Sequence, residues 1–264
     1  MNDVFRPDLL AGKRIVVAGA SSGLGRAVAQ ACADVGATIY AVGRSKAKLE
    51  TTLDGLSAPT GPDPHKFVVG DLSSFDAAAT TFKQVQDLSK GVDGVFYSAG
   101  AEVIKSTRSL KIQDVERTMG AALHGALGAA KVCASKRFWR QTGRDAAGGS
   151  LVIMSSVSAQ SGQTGMAAYG AARAGILGLT RNLSIELAPM NIRVNAIVAG
   201  AVATEMHGRI TQNLPAAAVQ SYYDAHPLGV GHPSDISNLS VYLLSIAGAW
   251  ITGTELIVDG GYLA

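Results

Sequence analysis

The sequence predicts an α/β fold: a doubly wound parallel sheet of about seven strands with helices on both faces, in one domain over residues 1–264. Three observations predict it. Short β-branched runs alternate with longer helix-patterned stretches along the whole chain. The connections between them are short, and no linker or internal repeat divides them. A hydrophobic content of 47% against 16% charged residues excludes disorder and supplies a large core.

Ile15, Val16 and Val17 make a first strand suited to burial on both faces. A glycine turn follows, then a helix over 24–35. Residues 38–42 (TIYAV) read as the second strand, with Gly43 and Arg44 after it, and 46–56 as a short helix. Three prolines and a glycine mark 57–64 as a surface loop. A third strand over 67–70 ends in Asp71 and Leu72. A helix over 74–90 leads to a fourth strand over 94–98, ending in Ala99 and Gly100.

The alanine-rich stretch 113–139 predicts one long helix, and 140–149 is polar and turn-rich. Residues 150–154 (SLVIM) make a fifth strand, followed by Ser155 and Ser156. A second long helix, 167–187, is stopped by Pro189. A sixth strand spans 192–198. Residues 204–228 are irregular with helix-capable pieces, and 203–228, with residues near 102–107 and 159–166, is expected to set substrate choice. A helix over 234–245 with Ser234 as N-cap and a seventh strand over 254–258 complete the chain.

The net charge of +3, without a basic block, argues against nucleic acid and suits a small anionic ligand. Cys32 and Cys133 sit inside predicted helices as small apolar residues, so no metal site is expected. No run of eighteen apolar residues occurs, and residues 1–10 do not read as a leader. No membrane association and a cytoplasmic location are the expectations.

The glycines are Gly19, Gly23 and Gly25, spaced G-x-x-x-G-x-G, with Ser21, Ser22 and Leu24 between them. Strand, glycine turn and helix bring a dinucleotide pyrophosphate to a helix N-terminus. A Cβ at these positions would collide with phosphate or with the crossing helix. A carboxylate after the second strand would hold the two hydroxyls of an NAD ribose; here Gly43 and Arg44 stand there. A cation suits a 2′-phosphate, so the expected cofactor is NADP(H). Asp71 either accepts from the adenine amino group or caps the following helix.

Ser156 follows the fifth strand, and Tyr169 comes thirteen residues later, opening a helix. Arg173 lies one helical turn further on, on the same side. A phenol titrating near 10 is a poor base at neutral pH, and a nearby cation stabilises its phenolate. Ser156 is placed to hold a substrate oxygen.

Over 12–261 the chain resembles the short-chain dehydrogenase/reductase family, nearest in type to its 3-oxoacyl-carrier-protein-reductase-like members. The matching pieces are AGASSGLG (18–25), GR (43–44), DL (71–72), SAG (98–100), SS (155–156), YGAAR (169–173), NIRVNAIVAGAVATEM (191–206), HPLG (226–229) and ITGTELIVDGG (251–261). The resemblance implies a Rossmann-like fold and an oxidoreductase interconverting a carbonyl and a secondary alcohol. It implies that Ser156 polarises the carbonyl and Tyr169 donates the proton. It places Val202 and Thr204 along the nicotinamide and its phosphates and Ala99 and Gly100 behind the adenosine ribose, and counts Leu72, Tyr169 and Arg173 among the residues that bind the cofactor. It also implies a homodimer or homotetramer through the two long helices, helped by the small residues of 171–178.

The chain departs from the family pattern at several points. Arg173 stands where the family has the lysine that bonds the nicotinamide ribose. Arginine keeps the charge but is planar, bulkier and effectively never deprotonated. Ala122 stands where an asparagine usually holds a relay water, Ala199 replaces a proline, and Tyr97 and Ser98 replace two asparagines. Ala18 takes the place of the usual threonine before the glycine turn, and His124 reads as a packing or interface residue. Three readings follow: a working ketoreductase with a changed relay, a catalytically weak NADP(H)-binding sensor or partner protein, or different chemistry such as dehydration or epimerisation at the same site.

Overall fold

The strands are β1 (Arg14–Ala18), β2 (Thr38–Gly43), β3 (Lys66–Val69), β4 (Gly94–Tyr97), β5 (Gly149–Ser156), β6 (Ile192–Ala199) and β7 (Glu255–Val258). All seven are parallel and form one sheet in the order β3-β2-β1-β4-β5-β6-β7. The computed structural model describes residues 7–140, 148–205, 208 and 216–264. The order reverses between β1 and β4, so the connections diverge there and leave a crevice beyond the strands' carboxyl ends.

The helices are α1 (Gly23–Asp34), α2 (Lys46–Asp54), α3 (Phe75–Ser89), α4 (Ile112–Met119), α5 (Gly125–Cys133), α6 (Ala167–Leu187), α7 (Ala216–Asp224) and α8 (Pro233–Leu244). Strand alternation divides the core in two. Val16 and Ala18 pack with Phe82, Ala126 and Ile176 on one face, while Ile15 and Val17 pack with Val28, Leu49 and Ile236 on the other. Each such fully buried aliphatic is worth about 1.5–3 kcal/mol. Cys32 and Cys133 are free and buried, and burial pushes the Cys32 thiol up to about 12.

Three local expectations are corrected. The stretch 113–139 is not one helix: a π turn, Gly120–His124, separates α4 from α5, and a 3₁₀ turn follows at Lys136–Phe138. The wide turn has a tertiary cause. A Cβ on Gly120 would overlap the Ser73 carbonyl, and one on Gly125 the Leu72 carbonyl and the Tyr97 hydroxyl. Tyr97 donates 2.8 Å to the carbonyl of Ala121, inside the turn.

Second, α8 starts one residue earlier than expected, with His232 and not Ser234 as N-cap. Pro233 takes the first helical position, and Asp235 accepts from the His232 N–H at 2.7 Å. Third, Asp71 does not cap α3. Ser74 does, its hydroxyl accepting from the Ala77 N–H at 3.3 Å. Residues 1–10 and the segment 203–228 lie partly outside the described residues.

Candidate functional site

The carboxyl ends of β1, β2, β4, β5 and β6 open on one cavity of about 1830 Å³. The glycine turn forms one wall. Gly19 has φ +91°, a left-handed conformation that favours glycine. A Cβ on Gly25 would run into the Gly19 carbonyl, so α1 crosses close beneath the turn. α1 carries no acidic residue in its first turn, leaving its N-terminal dipole uncompensated toward the cavity. Ser21, Ser22, Gly23 and Leu24 line the same wall.

The Ser21 hydroxyl is buried and has no hydrogen-bond partner among the described residues. A buried hydroxyl without a partner costs about 1–3 kcal/mol, so it calls for an acceptor or donor from outside the chain. Arg26 donates 2.6 Å to the Ser21 carbonyl and approaches Glu205 at 3.9 Å, tying the turn to the segment after β6. An orphaned hydroxyl, a glycine cradle and a bare helix N-terminus fit a dinucleotide phosphate.

At the far end of this wall lie Arg44 and, one turn on, Lys48. Asp71 sits opposite. It accepts from the Ser73 N–H at 3.0 Å and from the Ser73 hydroxyl at 2.6 Å. The Ser73 hydroxyl bond, helped by Arg44, holds its carboxyl below the usual range. Leu72, Ala99 and Gly100 continue the floor. Thr204 lies against the glycine turn, its Cβ 3.7 Å from where a Gly23 Cβ would be, and Val202 is bridged to Gly231.

The other end holds Ser156, Tyr169 and Arg173. Ser156 ends β5. Its Oγ accepts from the Ser158 N–H at 3.3 Å and donates only a long 3.4 Å bond to the Ser158 hydroxyl. Tyr169 and Arg173 are successive turns of α6, and both are nearly buried, at 8% and 6% exposure. The guanidinium carbon lies 5.0 Å from the centre of the Tyr169 ring. One Arg173 Nη donates 2.9 Å to the Met154 carbonyl; the other reaches within 2.5 Å of where a Gly100 Cβ would be. The Ser155 hydroxyl donates 2.9 Å to the Arg173 carbonyl, fixing the helix against β5.

The residues expected to hold coenzyme or substrate line one cavity: the glycine turn, Arg44, Asp71, Leu72, Ala99, Gly100, Ser156, Tyr169, Arg173, Val202 and Thr204. Ala122 is not among the lining residues; it is 1% exposed, inside the π turn. His124, in the same turn, is exposed. Sequence reasoning passed over Lys48, Ser158 and Tyr262. Lys48 was signalled by its spacing of four from Arg44 across the start of α2. Tyr262 has no local signal; it reaches the cavity because Gln163 donates 3.0 Å to its hydroxyl. Among the described residues no group of three His, Cys, Asp or Glu could hold a metal ion, and no helix is long and apolar enough to cross a membrane.

Residues 19–263 match a family model described as enoyl-(acyl carrier protein) reductase. A 3-oxoacyl-[acyl-carrier-protein] reductase of Aquifex aeolicus is 29% identical over 96% of this chain and 98% of its own length. An L-rhamnose 1-dehydrogenase (NAD(P)(+)) of a Sphingomonas species is 31% identical over 96% of this chain and 97% of its own. Among solved structures, a short-chain type dehydrogenase/reductase from Mycobacterium ulcerans superposes with a TM-score of 0.85 at 27% identity, covering 96% of this chain and 90% of that one. A Beutenbergia cavernae structure with NADP bound at low occupancy gives 0.83 at 27%, covering 98% and 99%. Both relatives are oxidoreductases acting at a carbonyl or alcohol carbon, and the matches run almost from end to end. The chain belongs to the short-chain dehydrogenase/reductase family.

Proposed function

We propose that this chain, working as one domain, is an NADP(H)-dependent oxidoreductase that interconverts a carbonyl and a secondary alcohol. The observation that carries the reading is the single cavity, with two cations at one end and Ser156, Tyr169 and Arg173 at the other. Gly19, Ser21, Ser22, Gly23, Leu24 and Gly25 would hold the pyrophosphate, and Arg44 with Lys48 a 2′-phosphate. A charge-assisted contact of that kind is worth about 1.5–3 kcal/mol. When bound, the nicotinamide supplies or accepts the hydride at the reacting carbon.

Ser156 orients the substrate. Its long bond to Ser158 is easily exchanged for a shorter one to a substrate oxygen, while the Ser158 N–H keeps the side chain aimed. Tyr169 gives its proton to that oxygen in reduction and takes it back in oxidation. Arg173 stabilises negative charge developing on the phenol oxygen, from a site nearly closed to water where such interactions are strong. The substrate is a small molecule. Association into a dimer or tetramer through α6 and a cytoplasmic location belong to the same proposal.

A second reading has one observation in its favour. Part of the Arg173 guanidinium is committed to the Met154 carbonyl, which suits a protein that holds the coenzyme but turns over slowly. One assay separates the two. NADPH with β-keto esters, diketones, quinones and oxidised sugars should lose nicotinamide absorbance, with turnover abolished in Tyr169→Phe. Tight NADPH binding with no turnover on any of these supports the second reading instead.

A further inference from the structure

The cavity holds a carboxyl group that the mechanism above does not use. Glu102 lies two residues after Gly100 and lines the same end as Tyr169, Arg173, Tyr222 and Tyr262. It is partly buried, and burial raises its pKa against the opposing pull of Arg173. The titratable groups that act on it are Arg173 from α6 and Tyr222 from α7; Tyr169, Tyr223 and Tyr262 surround Tyr222 in turn. Tyr222 senses Glu102, Tyr262, Tyr169 and Tyr223 together. Lys105, three residues on, is occupied by Asp114 at 2.7 Å. The other carboxylate of the cavity, Asp71, is held by Ser73 at the opposite end.

Proton bookkeeping gives this carboxyl a task. Each carbonyl reduced removes one proton from Tyr169, and the phenolate must regain it before the next turnover. A guanidinium, such as the one beside the ring, does not exchange protons at neutral pH. Ser156 titrates too high to replace it. Glu102 is the acid that shares this end of the cavity with the phenol.

We propose that Glu102 is the proton-exchange residue of this site, acting through Tyr169. The inference rests on the oxidoreductase reading and adds its proton path. In reduction, the hydroxyl proton of Tyr169 passes to the substrate oxygen as the carbonyl carbon takes up the hydride. The protonated carboxyl of Glu102 then gives its proton to the phenolate through a water, and the carboxylate takes one proton from solvent at the cavity mouth. One solvent proton is consumed per alcohol formed, and oxidation runs the same path backwards.

Two measurements test it. In the first, Glu102→Gln lowers kcat about tenfold, leaves the NADPH Kd within twofold, and removes one ionisation from the kcat–pH profile; Glu102→Asp keeps part of the rate. Adding Arg173→Lys to Glu102→Gln restores turnover, because an amine at 173 can exchange protons. An unchanged kcat and pH profile in Glu102→Gln overturns the proposal while leaving the oxidoreductase reading intact. In the second, the apo-protein is labelled at the carboxyl carbons of its six glutamates and titrated by carbon-13 NMR. The signal missing in Glu102→Gln titrates above the rest, and Tyr169→Phe moves its midpoint. A Glu102 that titrates with the others and ignores Tyr169→Phe overturns the proposal. This measurement decides even if no carbonyl is turned over, the result that would sink the oxidoreductase reading.

Discussion

The guanidinium of Arg173 lies over the ring of its neighbour one turn back, its central carbon 5.0 Å from the Tyr169 ring centre, while donating to the Met154 carbonyl. Arg173 therefore holds both the phenol and the end of β5. Tyr169→Phe keeps the ring contact and loses only the hydroxyl. Turnover should fall by about a hundredfold or more, the usual weight of a general acid, with coenzyme affinity within twofold. Steady-state kinetics beside fluorescence titration with NADPH makes the comparison.

Arg44 should act on affinity alone. Arg44→Ser removes the cation facing the expected 2′-phosphate, and NADPH should bind about ten- to a hundredfold more weakly, with NADH changed less than twofold. Calorimetry with both coenzymes reads this. Equal losses for the two would place Arg44 on the shared part of the dinucleotide.

Gly125→Ala puts a methyl group against the Leu72 carbonyl and the Tyr97 hydroxyl, neither of which is the loose end of a flexible side chain. The overpacking should cost about 1–3 kcal/mol and lower Tm by several degrees. Tyr97→Phe should cost about 1–3 kcal/mol, by leaving the Ala121 carbonyl without the Tyr97 bond. Urea titration of the two variants measures both.

Glu102 gives a pH-dependent stability. Its folded-state pKa is raised by burial, so the native protein binds its proton more tightly than the unfolded chain does. Its stabilising effect is complete below the ordinary carboxylate range and is lost as pH rises through the raised value. Glu102→Gln should therefore gain stability over the parent at pH 8, and the gap should close below about pH 4. Thermal melts of both proteins across that range show whether the difference follows this sign.

Much of the frame was legible because its signals are local. Ile15, Val16 and Val17 form a strand by side-chain shape, and Gly19, Gly23 and Gly25 mark the turn by what they lack. What was illegible depends on distant chain. Nothing in 113–139 announces the break at Gly120–His124, since alanine and leucine there suit an unbroken helix; the cause is backbone at Leu72 and Ser73 pressing on two glycines. Glu102 falls in a segment expected to shape the substrate pocket, but nothing local ties its carboxyl to Arg173; that depends on where α6 lies. The start of α8 was readable and misjudged: a proline at 233 suits the first helical position, which moves the cap to His232.

The widened turn at Gly120–His124 also works as a spacer. It holds one residue more than an α-helix needs, and each residue is about 100° of rotation. If the same residues ran as an unbroken α-helix, everything from Gly125 to Cys133 would be turned by about a quarter-turn. Gly125 and Gly128 would leave the backbone they nestle against, and larger side chains would arrive in their place. The wide turn thus sets the rotational register of α5, keeping Gly125 and Gly128 against the carbonyls of Leu72 and Phe75, where a methyl group has no room.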